Sequence, residues 1–381
     1  MAAPQATDRR FDFADIVRAH RGALESTTTL GPLQRRALLD IEKCRTAALG
    51  GHLDQCATCG YEHPSYNSCR NRHCPKCQAL AQERWIDAQR SRMLDVPHFH
   101  VVFTLPSELR PLAAFARRDV FDALFHAAAR TLAAFARSRL SATLGATLVL
   151  HTWTRKLEFH PHVHAIVTGG GLTKDGARWS PAHRAFLFPV KAMSKVFRAK
   201  MLAELRHAYR RGRFARFRDF EDPEAFARLA RTVAKVDWYL YAKPSFGRAK
   251  YVLEYLGRYT HRVGLANSRL LDVRDDAVTF RTKGAGTTTV PPVTLLRRFV
   301  QHVLPAGFHK LRHIGLYASN PTARDKARAL LGQRAVRRRA TPWRELLRQL
   351  TGRDVDACPV CGSTLQASPL PLARAPPARA A

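Results

Sequence analysis

Six of the chain's eight cysteines crowd into residues 44–77, and the other two stand together at 358 and 361. Cys56-Ala-Thr-Cys59 and Cys74-Pro-Lys-Cys77 are two Cys-x-x-Cys knuckles separated by 14 residues. Each knuckle turns tightly enough to aim two thiolates at one ion, and two of them complete a tetrahedral four-cysteine zinc site. In a reducing compartment this pattern points to structural zinc rather than to disulfides. Residues 51–80 therefore read as a Cys/His-rich module with more donors than one zinc needs, since Cys44, His52, His63, Cys69 and His73 remain. A second zinc on Cys44, His52, Cys69 and His73 is one use for them; core or surface positions are the other. The linker Ser65–His73 is basic with one aromatic, which suits a DNA-contacting loop through Arg70 and Arg72, with a purely structural zinc as the competing reading. Cys358-Pro-Val-Cys361 reads as half of a zinc site for which the tail supplies no partner.

Charge is the loudest bulk signal. In 381 residues, 63 Lys and Arg face 30 Asp and Glu, giving +33. Such an excess attracts polyanions, with nucleic acid as the default partner. The basic residues spread over nearly the whole chain, so DNA or RNA is expected to cross several elements. No apolar run approaches the ~18 residues of a membrane span, and the N-terminus lacks an apolar signal core. A cytoplasmic protein is expected, and 46% apolar residues permit a sizeable core.

The pattern of apolar positions predicts an α+β chain. Residues 1–10 read as a flexible start, and 11–50 and 80–95 as helical. His98–Leu105 is a short apolar strand, 111–140 an Ala-rich helical stretch, and Ala146–Trp153 and 159–168 two more strands, the last ended by Gly169-Gly-Gly171. A basic helix follows over 192–218, a strand over 238–242, a helix over 249–261, strands over 269–273 and 277–282, and helices over 295–303 and 324–331. From about 366 the Ala/Pro/Arg-rich end reads as disordered. The domains expected are a zinc-binding DNA-recognition region over 11–95, a catalytic region over 96–335 and a basic C-terminal region over 336–381.

The run Phe159-His-Pro-His-Val-His-Ala-Ile-Val167 places histidines at alternating positions. Residues two apart on a strand share a face, so His162 and His164 present two imidazoles side by side. A metal needs a third ligand. If 146–153 and 159–168 form a hairpin turning near Lys156-Leu157, His151 lies across from His162 or His164; His160 shares their face and competes for the role. Three imidazoles with open positions suit a divalent ion that also holds a phosphate and acts on it as a Lewis acid.

Tyr251, Tyr255 and Tyr259 recur every four residues in Ala249-Lys-Tyr-Val-Leu-Glu-Tyr-Leu-Gly-Arg-Tyr-Thr-His261, which puts them on one helix face. An aromatic core stripe is the plain explanation. Against it, Lys250, Arg258, His261 and Arg262 surround the tyrosines with positive charge, which favours phenolate and binds phosphate. A phenol oxygen attacking a metal-held phosphodiester would give a phosphotyrosine link that conserves the bond for later rejoining.

In combination, the cysteine module, His162-Val-His164 and Tyr255-Leu-Gly-Arg-Tyr259 resemble the IS91-family transposases of the HUH (His-hydrophobic-His) endonuclease superfamily. Ser68-Cys-Arg-Asn-Arg-His-Cys-Pro-Lys-Cys-Gln78, Leu150-His-Thr-Trp153, Phe188-Pro-Val-Lys191, Tyr241-Ala-Lys-Pro244 and Leu304-Pro-Ala-Gly-Phe-His-Lys310 resemble the family too; Thr154-Arg155 departs from its common Gly-Gln. The resemblance implies a central antiparallel sheet of HUH type with flanking helices behind an N-terminal helical zinc-knuckle module. It also implies rolling-circle-type transposition through single-stranded DNA at insertion-sequence ends. His162, His164 and His151 would hold catalytic Mg or Mn, and Tyr255 and Tyr259 would be paired nucleophiles. Lys250, Arg258, Arg262, Arg70 and Arg72 would contact DNA, in a bacterial cytoplasm at the nucleoid. The rival readings are a non-catalytic zinc-ribbon regulator and a relaxase or replication initiator.

Overall fold

Two amphipathic helices open the described chain. Asp12 caps α1 (Phe13–Thr27), its carboxylate accepting from the Ala14 N–H at 3.0 Å, and Pro32 begins α2 (Pro32–Lys43). The computed structural model describes residues 11–183, 186–217, 220, 222, 224–244, 264–318, 321–334 and 341–370. A hairpin of β1 (Gly51–Gln55) and β2 (Glu62–Tyr66) follows α2, and α3 (Ala79–Arg90) follows the last knuckle.

The central sheet begins with β3 (His98–Thr104). A short helix, α4 (Arg110–Phe115), and a long one, α5 (Arg117–Leu140), lead into β4 (Ala142–Trp153), β5 (Phe159–Thr173) and the short β6 (Trp179–Pro181). After α6 (Val190–Arg210) and α7 (Ala225–Lys235), β7 (Leu240–Pro244) pairs with β3. A small sheet of β8 (Leu270–Val273), β9 (Val278–Arg281) and β10 (Thr287–Val290) precedes α8 (Pro292–Val300). β11 (Leu311–Gly315) then completes the central sheet in the order β11-β4-β5-β3-β7, every pair antiparallel, with β6 attached to β5. Next come α9 (Thr322–Leu330), α10 (Trp343–Thr351) and β12 (Gln366–Leu370), which pairs with β1. The fold is α+β, as the sequence predicts.

Strand alternation divides the central sheet into two unlike faces. Phe99, Val101 and Phe103 of β3, Leu148 and Leu150 of β4 and Val163, Ala165 and Val167 of β5 join the large core, together with apolar residues of α5 and α6. The opposite set carries His100, His151, His162 and His164; there Val149 and Ile166 pack with Ile86 of α3. One side of the sheet is thus committed to folding, and the other is available for polar chemistry.

Two features differ from the sequence reading. Gly169-Gly-Gly171 does not end β5, which continues to Thr173. These glycines let neighbouring backbone approach: a Cβ at Gly169 would lie 2.9 Å from the Pro97 carbonyl oxygen and one at Gly171 2.6 Å from that of Thr143. Gln366–Leu370, read as disordered, is strand β12 on β1. The helices of the N-terminal region do not keep a core of their own, because Phe13, Ile16, Leu38 and Ile41 share one with Leu270, Phe280, Leu295 and Phe299. Phe13 and Phe299 meet at 4.6 Å between ring centres. No helix among the described residues is long and apolar enough to cross a membrane.

Candidate active site and zinc centres

The β4–β5 hairpin builds the histidine cluster. Its register sets His151 directly opposite His162, with Val149 opposite His164. Candidate ligand atoms of His151, His162 and His164 all lie within 4.8 Å of one another. The turn contains neither Gly nor Asn. Instead the Thr154 hydroxyl accepts from the Lys156 and Glu158 N–H groups, each at 3.2 Å. Leu157 adopts a left-handed φ of 60° while its side chain is fully buried. A leucine there costs roughly 1–2 kcal/mol, which burial of the side chain offsets. His302 braces the same turn: its Nε2–H donates to the Leu157 carbonyl at 3.1 Å, and its Nδ1 accepts from the Thr152 hydroxyl at 3.1 Å.

Hydrogen bonding sets which nitrogen each imidazole can offer. His162 Nδ1 lies 2.6 Å from the His160 carbonyl. A carbonyl only accepts, so Nδ1 carries the proton and Nε2 carries the lone pair. His164 Nδ1 lies 2.7 Å from Nε2 of His100 on β3, the two rings stacked within 7°. If His164 Nδ1–H donates to His100, its Nε2 is likewise the electron-pair donor. Burial foremost lowers His162 and His100 to about 4 and His164 well below the ordinary imidazole range. His100, His162 and His164 are therefore neutral near pH 7, the state a divalent cation requires of imidazole ligands. The three convergent imidazoles of His151, His162 and His164 on one hairpin fit such an ion. His160 is held apart, its Nδ1 accepting from Arg110 at 3.0 Å. His100 went unused in the sequence reading although His98-Phe-His100 repeats the alternation of His162 and His164, because its partnership with His164 arises only from the pairing of β3 with β5.

The cysteines group differently from the sequence expectation. One quartet is Cys44, Cys69, Cys74 and Cys77; the other is Cys56, Cys59, Cys358 and Cys361. The expected set of Cys56, Cys59, Cys74 and Cys77 is not formed, because the two knuckles face different partners. Cys69 and Cys77 place their sulfurs 3.8 Å apart, and sulfurs at the corners of a tetrahedron ~2.3 Å from zinc are about 3.8 Å apart. Hydrogen bonding among these thiols, with Cys44 foremost, holds Cys77 far below the ordinary thiol range and Cys69 and Cys74 far above it. Such crowding resists full deprotonation unless a cation neutralises it. Four thiols so grouped in the N-terminal module fit a structural zinc ion.

The second set proposed from sequence, Cys44, His52, Cys69 and His73, is likewise not formed. His52 is exposed and pairs with Asp54 at 3.3 Å. His73 is buried, with Nδ1 on the Asn71 side chain at 3.0 Å and Nε2 accepting from the Leu304 N–H at 3.3 Å. Arg70 is exposed on the surface. Arg72, expected on DNA, instead donates to the Phe308 and Pro305 carbonyls at 2.7 and 3.0 Å. Tyr251, Tyr255, Tyr259, Lys250, Arg258 and Arg262 lie outside the described residues.

Gly264 rests against Trp153, so closely that a Cβ there would collide with the indole, and Trp153 stacks on His151 with centroids 4.9 Å apart. Arg269 fastens this junction by donating to the carbonyls of Gly264, of Arg155 in the hairpin turn at 2.6 Å, and of Arg281 on β9 at 2.8 Å.

Comparison with known proteins places this architecture. Residues 16–105 match a family described as transposase zinc-binding domain, and residues 145–324 match one described as putative transposase. A putative transposase, y4qJ, from Sinorhizobium fredii is 39% identical over 368 residues, covering 92% of each chain. The transposase for insertion sequence element IS801 from Pseudomonas savastanoi pv. phaseolicola is 29% identical over 316 residues, covering 75% of this chain and 73% of the relative. No solved structure matches. The class so defined is the transposases, DNA-processing enzymes that bind DNA. Within that class, the chain belongs to the IS91 family.

Proposed function

We propose that this transposase nicks and rejoins single-stranded DNA at insertion-sequence ends through a 5′-phosphotyrosine, in a rolling-circle-like transposition. The observation that carries the reading is the convergence of His151, His162 and His164 beside the anchor of the segment bearing Tyr255 and Tyr259. Tyr259 precedes Gly264 by only five residues, a length that spans at most roughly 17 Å. The tyrosine is therefore tethered within reach of the hairpin.

In this reading His151, His162 and His164 hold Mg or Mn, which supplies Lewis-acid polarisation of the scissile phosphate. The Tyr259 phenol loses its proton, and its oxygen forms a bond to phosphorus. The P–O3′ bond breaks, and the 3′ oxygen leaves as a hydroxyl after taking a proton. One phosphodiester replaces another, so rejoining needs no external energy source. Tyr255 is the second nucleophile, for the second strand transfer. Lys250, Arg258 and Arg262 neutralise phosphates around the tyrosines, Arg70 and the basic surface of α6 extend that track, and the enzyme works in the cytoplasm at the nucleoid.

The test is nicking of a single-stranded oligonucleotide carrying an insertion-sequence end, with Mn or Mg and with chelator. Wild type should form a covalent protein–DNA adduct only with metal. Tyr259→Phe should lose the adduct, and His162→Ala should lose nicking while retaining most DNA binding. An adduct persisting at wild-type level in Tyr259→Phe would sink the assignment.

A further inference from the structure

The second cysteine quartet joins opposite ends of the chain. Cys56 and Cys361 place their sulfurs 3.4 Å apart, and Cys59 and Cys358 3.5 Å, although they stand 305 and 299 positions apart in sequence. These separations are far longer than the ~2.05 Å of a disulfide and close to the ~3.8 Å edge of a zinc–thiolate tetrahedron. The ligand atoms of all four residues lie within 4.8 Å of one another.

The two halves also repeat each other in backbone detail. Both are Cys-x-x-Cys-Gly, in Cys56–Gly60 and Cys358–Gly362. The Gly60 N–H donates to the Cys56 carbonyl at 3.0 Å, and the Gly362 N–H to the Cys358 carbonyl at 2.9 Å. The Cys56 N–H donates to Tyr61 at 2.9 Å and the Cys358 N–H to Ser363 at 2.8 Å. Both glycines take the left-handed φ that the turn demands, 72° and 79°. Each turn aims two sulfurs outward, and the two turns face each other while β12 pairs with β1 beside them.

Apolar packing alone does not account for this docking. Among residues 341–370 only Leu346 and Cys358 are buried in the core. A segment with so small a core needs a metal or a cross-link to stay ordered.

We infer that Cys56, Cys59, Cys358 and Cys361 form a second tetrathiolate zinc site, a ribbon assembled from the two ends of the chain that clasps the C-terminal segment to the N-terminal module. Each cysteine gives up its thiol proton to solvent on binding, and the dication neutralises half of the resulting charge. The clasp is independent of the nicking chemistry and stands if that reading fails.

The test uses the full-length chain, loaded with cobalt in place of zinc so that tetrathiolate sites are counted by their sulfur-to-metal absorption. Wild type should show two tetrathiolate equivalents per chain. The double variant Cys358→Ser/Cys361→Ser should show one, with faster hydrogen exchange over 341–370 and little change in the central sheet. A single equivalent in wild type, or two in the double variant, overturns the site. Because the wild-type count does not depend on a variant's folding, it decides the matter even if the variant misfolds. Loss of 2 Da per bridge in the denatured mass, with only one metal bound, would assign the quartet to disulfides instead.

Discussion

At the scale of single residues, the histidine cluster depends on a neighbour that coordinates nothing in the proposed site. His100 Nε2 lies 2.7 Å from His164 Nδ1, and the stacked rings fix the angle at which His164 faces His151 and His162. Groups in this position usually tune metal affinity about 10–100-fold. His100→Phe keeps an aromatic ring for stacking and removes the nitrogen. The expected outcome is a rise of that order in the metal concentration needed for half-maximal nicking, with activity largely restored at saturating Mn. An unchanged metal dependence would deny His100 its orienting role. Legibility at this scale follows how local the signal is. His162 and His164 are visible because two residues on one strand face must point together. Cys44 and Cys69 belong to no Cys-x-x-Cys pair, so nothing near them in sequence marks them as partners of Cys74 and Cys77. The knuckles announce themselves as ligands, but spacing reports how a turn is made and not which other turn it meets.

At the scale of elements, the antiparallel hairpin was readable from two β-rich runs and the histidine alternation, and its register places His151 opposite His162. Its turn was less so, because Leu157 at a φ of 60° is held by tertiary packing and by His302, 145 residues away. The glycine run misled for a related reason: glycine usually punctuates strands, yet here it admits neighbouring backbone within the sheet. Arg269 belongs to the same class of long-range device, since one guanidinium links the hairpin turn, β9 and the exit from the tyrosine segment. Lysine cannot reproduce a planar fork with three separately aimed donors. Arg269→Lys should therefore lower the nicking rate by about 10–100-fold, the scale expected when a catalytic group is displaced by an ångström. Metal dependence and the salt dependence of DNA binding should stay near wild type. A variant nicking at the wild-type rate would mean that the junction does not position the tyrosines.

At the scale of the whole molecule, the high positive charge and the many buried histidines act together on acid stability. His98 and His302 are each 1% exposed, and burial foremost lowers both to about 4 from an ordinary 6.5. In His302 one nitrogen donates to Leu157 and the other accepts from Thr152, so a second proton would turn the acceptor into a donor facing a hydroxyl and add charge to an already cationic chain. The sign follows from proton binding. Above pH 6.5 neither the folded nor the unfolded chain protonates these rings, and they add no pH dependence. Below 6.5 the unfolded chain takes up protons that the folded chain refuses until about pH 4, so stability falls across that window. At pH 5 the loss is about 2 kcal/mol for each such histidine. Zinc release also weakens the fold in acid, which makes the difference between two proteins the useful quantity. Urea unfolding of wild type and His302→Asn at pH 7.5 and pH 5 should show the variant less stable at pH 7.5 but losing about 2 kcal/mol less on acidification. The thiolate centres are common to both proteins and cancel. Parallel losses in the two would mean that His302 takes up its proton without resistance in the folded state, and that its bonds to Thr152 and Leu157 do not hold it neutral.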